Sequence, residues 1–411
     1  MRRFGFFAFL AGLLGAALPL VACGGSVVNP GSSDGGPGDS GNVTQGCPFP
    51  LVQCASGCVD TRSDPVNCGA CGVACVGGSV CLQSQCQGTI GPGSDGGGLG
   101  DAGTGLPPDP GGPPGDGTGT VVLAFSKLYY GDTDRNDVQS TSAWSTYGLN
   151  IDGKITTKNS TDVCMLAAGA SRVTQVDGNG GIDNSFGENI LPILITTAGS
   201  NFSASANVAI AHGDATPLLS IDKLGAGARY SPLPGTLYRA APAGSVSWNG
   251  GDVRPVDQAA PALAFSGGYM NQRVWVGQPP LGPVLFDLHF DNGTTAPPVP
   301  VQHTQLAMVV DASNATASLG VFSGVVATTD FIAWLKQIAG SISTSLCSGS
   351  AFDSIAQQIN QASDIVLAPD GSVSNPAGQS CNAISLGFGF NATAVKLGPP
   401  VTVPPPVNPC P

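Results

Sequence analysis

Ile384-Ser-Leu386-Gly-Phe388-Gly-Phe390-Asn391 places a large apolar side chain at every second position. A period of two is that of a β-strand, whose side chains point alternately to opposite faces, whereas a helical face recurs every 3.6 residues. Val284-Leu-Phe286-Asp-Leu288-His-Phe290 repeats the alternation with polar residues between, the pattern of a half-buried strand. Working outward, further strands are expected over 121–125, 207–211, 218–221, 272–276, 305–310 and 316–326. Two helices break the series. Thr329 can cap a segment that sets Phe331, Trp334, Leu335, Ile338 and Ile342 on one face, and Phe352, Ile355 and Ile359 repeat the spacing. A shorter helix is expected after Asn184. Many strands with few helices predict a mainly β, β-sandwich-like fold with a C-terminal helical hairpin.

This body occupies 119–397. Around it the composition shifts, and much of the chain's 60 Gly and 34 Pro lies in three stretches. Residues 87–118 read as a Gly/Pro-rich linker and 398–411 as a Pro-rich tail pinned back by Cys410. Residues 23–46 lack apolar periodicity and read as a flexible tether. Between tether and linker, 47–86 hold eight cysteines and few apolar residues, so this module needs covalent staples to keep a shape.

At the N-terminus, Arg2 and Arg3 precede an apolar run from Phe4 to Leu18, and Leu20-Val-Ala-Cys23 closes it. A basic start, an apolar core and small residues at the cut make a secretory signal peptide over 1–22. Leu-Val-Ala-Cys resembles the lipobox of bacterial lipoproteins, which implies cleavage before Cys23 and its acylation, palmitate included. Several acyl chains anchor stably where one does not. An uncleaved signal anchor is the rival, opposed by Pro19 and by the Gly/Asp/Ser tract after Cys23. By analogy with lipoprotein sorting, Gly24 rather than Asp after that cysteine favours an outer-membrane lipoprotein, on the periplasmic or the cell-surface face.

Charge narrows the partners. The net charge is −12, and removal of the leader, which carries two arginines and no acid, leaves −14. A surface of that sign repels nucleic-acid phosphate and anionic headgroups. The membrane would be met through the lipid, and an extracellular protein or glycan is the expected partner.

Setting Cys23 aside leaves twelve cysteines: Cys47, Cys54, Cys58, Cys68, Cys71, Cys75, Cys81 and Cys86 in the module, and Cys164, Cys347, Cys381 and Cys410 dispersed. Export exposes them to oxidising conditions, so both sets are expected to pair internally. Cys347 with Cys381 and Cys164 with Cys410 are the predicted long-range bridges. Cys68-Gly-Ala-Cys71 with Cys75 has spacing that could hold zinc or act as a redox pair, but no histidine lies in the module and structural disulfides are preferred. Cys-Val-Asp60, then Asp64-Pro-Val-Asn-Cys68-Gly-Ala-Cys71-Gly-Val-Ala-Cys75, Cys81 and Cys86 resemble a cysteine-rich repeat of myxobacterial secreted proteins, similar to the plant stigma-specific cysteine-rich family. The resemblance implies an extracellular disulfide knot without enzymatic activity. In the body, Trp144-Ser-Thr-Tyr147-Gly-Leu-Asn-Ile-Asp152-Gly, Asp177-Gly-Asn179-Gly-Gly-Ile-Asp183 and Cys381-Asn-Ala-Ile-Ser-Leu look like landmarks of myxobacterial lipoproteins without assigned function.

Candidate sites are few. Asp177, Asn179 and Asp183 alternate as oxygen ligands for calcium, although neither register puts glycine where the motif needs it without losing an acid; Asx/Gly turns also arise without metal. Asp132, Asp134 and Asn136 make a second partial match. Gly148 to Lys154 approximates a phosphate loop, but Ile155 stands where a hydroxyl must reach magnesium, so a hairpin turn is the better reading. Ala264-Phe-Ser266-Gly-Gly268 departs from the hydrolase elbow at its first position, with His289 as the best-placed base among His212, His289 and His303. Trp248 and Trp275 could stack on sugar rings, with Trp275 and Arg273 on one strand face. No cofactor apart from calcium is indicated. The preferred expectation is a non-enzymatic, membrane-anchored surface lipoprotein with a structural or interaction role; a glycan- or calcium-dependent binding module comes next and an exported hydrolase last.

Overall fold

The structure is a computed structural model. It describes residues 105–198, 201–278, 280, 282–289, 296–405 and 410, with 47, 51–54, 57–59, 61, 67–73, 80–82 and 85–87 of the cysteine module. The expected leader, the lipidation site Cys23 and the tether lie outside the described residues, as does Cys75. Among the described residues no helix is long and apolar enough to cross a membrane.

The cysteine module contains two short antiparallel hairpins, β1 (Val52–Cys54) with β2 (Gly57–Val59) and β3 (Val80–Leu82) with β4 (Gln85–Gln87). Cys47 bonds Cys58 and Cys54 bonds Cys71. Cys71 is thus bridged to the first hairpin rather than to Cys68, which is itself disulfide-bonded. The Cys68/Cys71 pair is therefore a structural element, and the zinc and redox alternatives fall away.

The body is mainly β. Its strands are β5 (Thr120–Tyr129), β6 (Pro217–Asp222), β7 (Arg229–Tyr230), β8 (Gly235–Arg239), β9 (Val253–Asp257), β10 (Leu263–Phe265), β11 (Tyr269–Asn271), β12 (Val274–Gly277), β13 (Val284–Phe286), β14 (Val299–Val310), β15 (Thr316–Ala327), β16 (Val366–Leu367), β17 (Val373–Ser374) and β18 (Ala383–Val401). Twelve of them form one sheet in the order β10-β8-β6-β5-β18-β15-β14-β12-β11-β7, with β13 attached to β14 and β9 running parallel to β18. The first and last long strands, β5 and β18, are neighbours at its middle, pairing Leu123 with Ala394. The sheet curls until β10 at one end meets β12 near the other: the rings of Phe265 on β10 and Trp275 on β12 lie edge to face at 6.0 Å. The Trp275 indole also donates to the Leu233 carbonyl just before β8, at 3.0 Å.

Curling makes an inner face, and the large residues of the alternating runs fill it. Phe322, Phe388 and Phe390 stand with Phe286 in one apolar cluster. Helix α3 (Thr328–Ile342) brings Phe331, Trp334, Leu335 and Ile338 to it, and α4 (Ser350–Gln361) brings Phe352 and Ile359. The helical hairpin stands as the 3.6-residue spacing predicts. The outer face is covered too: Val276, Val309, Val321 and Val325 pack against Leu149, Ile151 and Ile365. Both faces being buried, the Ile384–Phe390 run alternates large with small, not apolar with exposed. Gly387 must be glycine, because a Cβ there would lie 2.2 Å from the Tyr147 carbonyl oxygen that crosses it.

Several expected elements differ. Residues 207–211 belong to helix α2 (Phe202–Ala211), with Phe202, Ala206 and Ile210 buried on one face, while α1 (Leu191–Ala198) follows a π-helical turn after Asn184. In the 272–276 run, Gln272 and Arg273 form a tight turn with φ of 52° and 66°, and pairing begins at Val274. The 284–290 strand stops pairing after Phe286. The proline-rich half of the expected linker is laid along the body, since the carbonyls of Pro107, Pro108 and Pro113 accept hydrogen bonds from Tyr269 Oη, Asn271 Nδ2 and the Ser231 N–H. The start of the expected tail, through Val401, continues β18.

The long-range disulfides pair the same four cysteines differently from the expectation. Cys164 bonds Cys381 and Cys347 bonds Cys410, with Cα separations of 5.3 and 5.2 Å. Cys381 immediately precedes β18 and is drawn to the 160–172 loop by a short bridge: Met165 N–H donates to Gln379 O and Cys381 N–H to Met165 O. Cys347 lies just beyond α3 and receives the tail instead.

Candidate functional site

The 144–187 segment and the 362–382 segment converge on β18 over residues 383–387, where β5 no longer accompanies it and the strand edge is open. Unpaired strand groups cost free energy when buried, and here side chains satisfy them. The Asn184 amide takes both groups of Gly387, its Oδ1 accepting the N–H and its Nδ2 donating to the carbonyl, each at 3.0 Å. The Asp364 carboxylate accepts the Ser385 N–H at 2.9 Å and the Ser385 hydroxyl at 2.5 Å.

Behind this seam lie further acids. Asp183 accepts the N–H groups of Ile151 and Asp152 at 2.7 and 3.2 Å, and Asp177 accepts that of Thr156. Asp152 accepts Asn375 Nδ2 at 2.8 Å, and Asn375 Oδ1 in turn accepts the Cys164 N–H at 2.6 Å. Burial, reinforced by the negative charge of Asp152 and Asp364, pushes Asp177 up to about 8. Asp183 is raised well above the carboxylate range, by burial first and then by Asp152, Asp177 and Asp364. Asp364 and Glu188 are each pushed up to about 7, chiefly by burial.

The predicted calcium ligands thus have other work. Asp177 and Asp183 hold the backbone of 151–156, and Asn179 is exposed. Among the described residues no three His, Cys, Asp or Glu side chains come together as a metal set. In the second partial match, Asp132 accepts from Ser203 and Asp134 from the N–H groups of Asn136 and Val138, an Asx turn. Gly148 packs against Gly387, so the phosphate-loop lookalike is a turn seated on the sheet.

The other candidates separate. Ser266 is exposed in the β10–β11 turn, while His289 is largely buried beyond β13 with its imidazole held below the usual value by that burial. No hydrogen bond joins the two, both of which are described. Asp287 turns inward to Arg239 at 2.6 Å, and Asp257 pairs with the same guanidinium. Trp275 is wholly buried, packed in the core and closed to a sugar ring. Arg273, expected on the same face, sits in the preceding turn and donates to the carbonyls of Val310, Gly225 and Gly227. Trp248 is half-buried against the β5–β6 outer face.

One cleft of about 360 Å³ opens beside the Cys164–Cys381 bridge, over the 160–172 loop. Gln175 lines it, only 6% exposed, and its Nε2 has no hydrogen-bond partner. Arg172 also lines it, donating from Nη1 to Ser160 O at 3.0 Å. Neither residue was marked by any sequence motif: the cleft exists only because Cys381, Gly378 and Gln379 arrive from 200 residues downstream. Comparison with known proteins finds no matching family model, no matching curated protein and no matching solved structure.

Proposed function

We propose that this chain is an exported, lipid-anchored protein without catalytic activity, whose body serves as a structural or interaction module at the outer membrane. The observation that carries the reading is the pair of long-range cross-links, Cys164–Cys381 and Cys347–Cys410, spanning 217 and 63 residues. Such bridges belong to oxidising compartments, in keeping with the Leu-Val-Ala-Cys23 lipobox. The body's ionisable side chains support the non-catalytic half: Asp364, Asp183 and Asp177 hold backbone N–H groups, and Arg239 is locked between Asp257 and Asp287.

Metabolic labelling with a palmitate analogue tests it. The expected result is label on the membrane-bound chain, with Cys23→Ser unlabelled and released to the aqueous fraction. A chain found unlabelled in the cytosol with reactive thiols would overturn it.

A further inference from the structure

We propose that the cleft beside Cys164–Cys381 binds a small organic carboxylate with a short aliphatic body, gripped by Arg172 and Gln175. This goes beyond the reading above and stands whether or not Cys23 is acylated.

Gln175, one of the residues that line the cleft, keeps a buried Nε2 without a hydrogen-bond partner, and a buried donor left unpaired costs free energy. A half-turn of the amide exchanges its ends, so an N–H pair or a carbonyl can meet a ligand there. Arg172 offers the charge. Among the described residues only its Nη1 is engaged, with a neutral carbonyl, and it forms no ion pair, so most of its five N–H donors can fork onto a carboxylate.

The rest of the lining fits the same ligand. Ser160 and Thr161 place hydroxyl-bearing residues on one side, and Val163 and Leu166 give an aliphatic wall. No carboxylate lines the cleft: Asp162, within the same loop, is paired with Lys154 at 3.2 Å instead. In a chain with net charge −12, a cleft whose only charged lining residue among the described residues is an arginine is a local exception. Met165, 53% exposed, leaves apolar surface in the cleft lining that a ligand's body would cover. The volume sits at the low end of small-molecule sites, which bounds the ligand's size. The disulfide and the Met165 bridge fix the loop beforehand, so little ordering is lost on binding.

The test is calorimetric titration of the mature chain with four probes: hexanoate, hexanamide, N-acetyl-dialanine and its C-terminal amide. The expected result is binding of at least one acid, with its amide weaker by about tenfold or more. Hexanoate alone would identify a free acid as the source, and N-acetyl-dialanine alone a peptide C-terminus. Arg172→Met, at an exposed position, should weaken binding about tenfold. Gln175→Leu should also lose affinity while leaving the unliganded chain at least as stable, because it removes an unsatisfied donor. No binding of either acid at millimolar concentration, equal binding of acid and amide, or undiminished binding by Arg172→Met would each overturn the proposal.

Discussion

Asn375 donates from Nδ2 to the Asp152 carboxylate at 2.8 Å across 223 residues of chain, and its Oδ1 accepts the Cys164 N–H. One amide therefore couples the buried acids of the β18 seam to the disulfide that frames the cleft.

The acids give the fold a pH dependence of definite sign. Asp177, Asp364 and Asp183 keep their protons in the folded chain to higher pH than an unfolded carboxylate does. Between about pH 4 and pH 8 the folded state therefore binds more protons, and stability falls as pH rises, by on the order of a few kcal/mol. Asp311, held below the usual value by hydrogen bonds from Ser313, Ala315 and Thr316, acts oppositely and loses its contribution as pH falls below about 4. Urea midpoints at pH 4.5, 6 and 8 should decline in that order, and Asp183→Asn should flatten the decline. A midpoint that rises toward pH 8 would refute the account.

Peptide mapping without reduction should recover Cys164 with Cys381 and Cys347 with Cys410. Replacing either pair by serine is expected to cost about 2–5 kcal/mol, more for Cys164–Cys381 because it closes the longer loop. Denaturant unfolding of the two double variants measures the difference.

Arg239 neutralises two nearly buried carboxylates, Asp257 and Asp287. Arg239→Met should destabilise by about 3–5 kcal/mol because it strands both acids. The triple variant Arg239→Met, Asp257→Asn, Asp287→Asn should recover much of that loss. Thermal unfolding of the single and triple variants decides it, and equal losses would sink the ion-triad explanation.

Trp275→Ala should remove about 3–5 kcal/mol, as for other large core residues, whereas the half-buried Trp248 should cost less when truncated. A glycan-binding screen with both variants tests the sugar reading directly, with neither expected to alter retention.

A fluorophosphonate probe should leave Ser266 unlabelled, since its hydroxyl has no hydrogen bond to His289. Labelling abolished by Ser266→Ala would establish a hydrolase after all.

Periodicity reveals the elements whose neighbours lie in the same sheet. The Ile384–Phe390 run is readable because Phe388 and Phe390 must meet Phe322 and Phe125 on one face. Residues 207–211 misled because Val208 and Ile210 alternate over a window too short to separate strand from helix; Phe202, Ala206 and Ile210 carry the longer signal. Alternation puts Asp287 on the polar face of its strand, but Arg239 draws it inward once pairing ends at Phe286. Cys164 meets Cys381, and Asn375 meets Asp152, across more than 200 residues, and Cys347 meets Cys410 across 63; no local pattern encodes such meetings.

With β5 and β18 side by side, the middle of the sheet joins the two ends of the body's chain. Strand pairing across nearly the whole domain is slow, because loop closure precedes its reward. Until residues near 400 have been delivered, β5 has only β6 for a neighbour and the sheet stays split. A polypeptide that cannot finish early remains threadable, which fits the export proposed above.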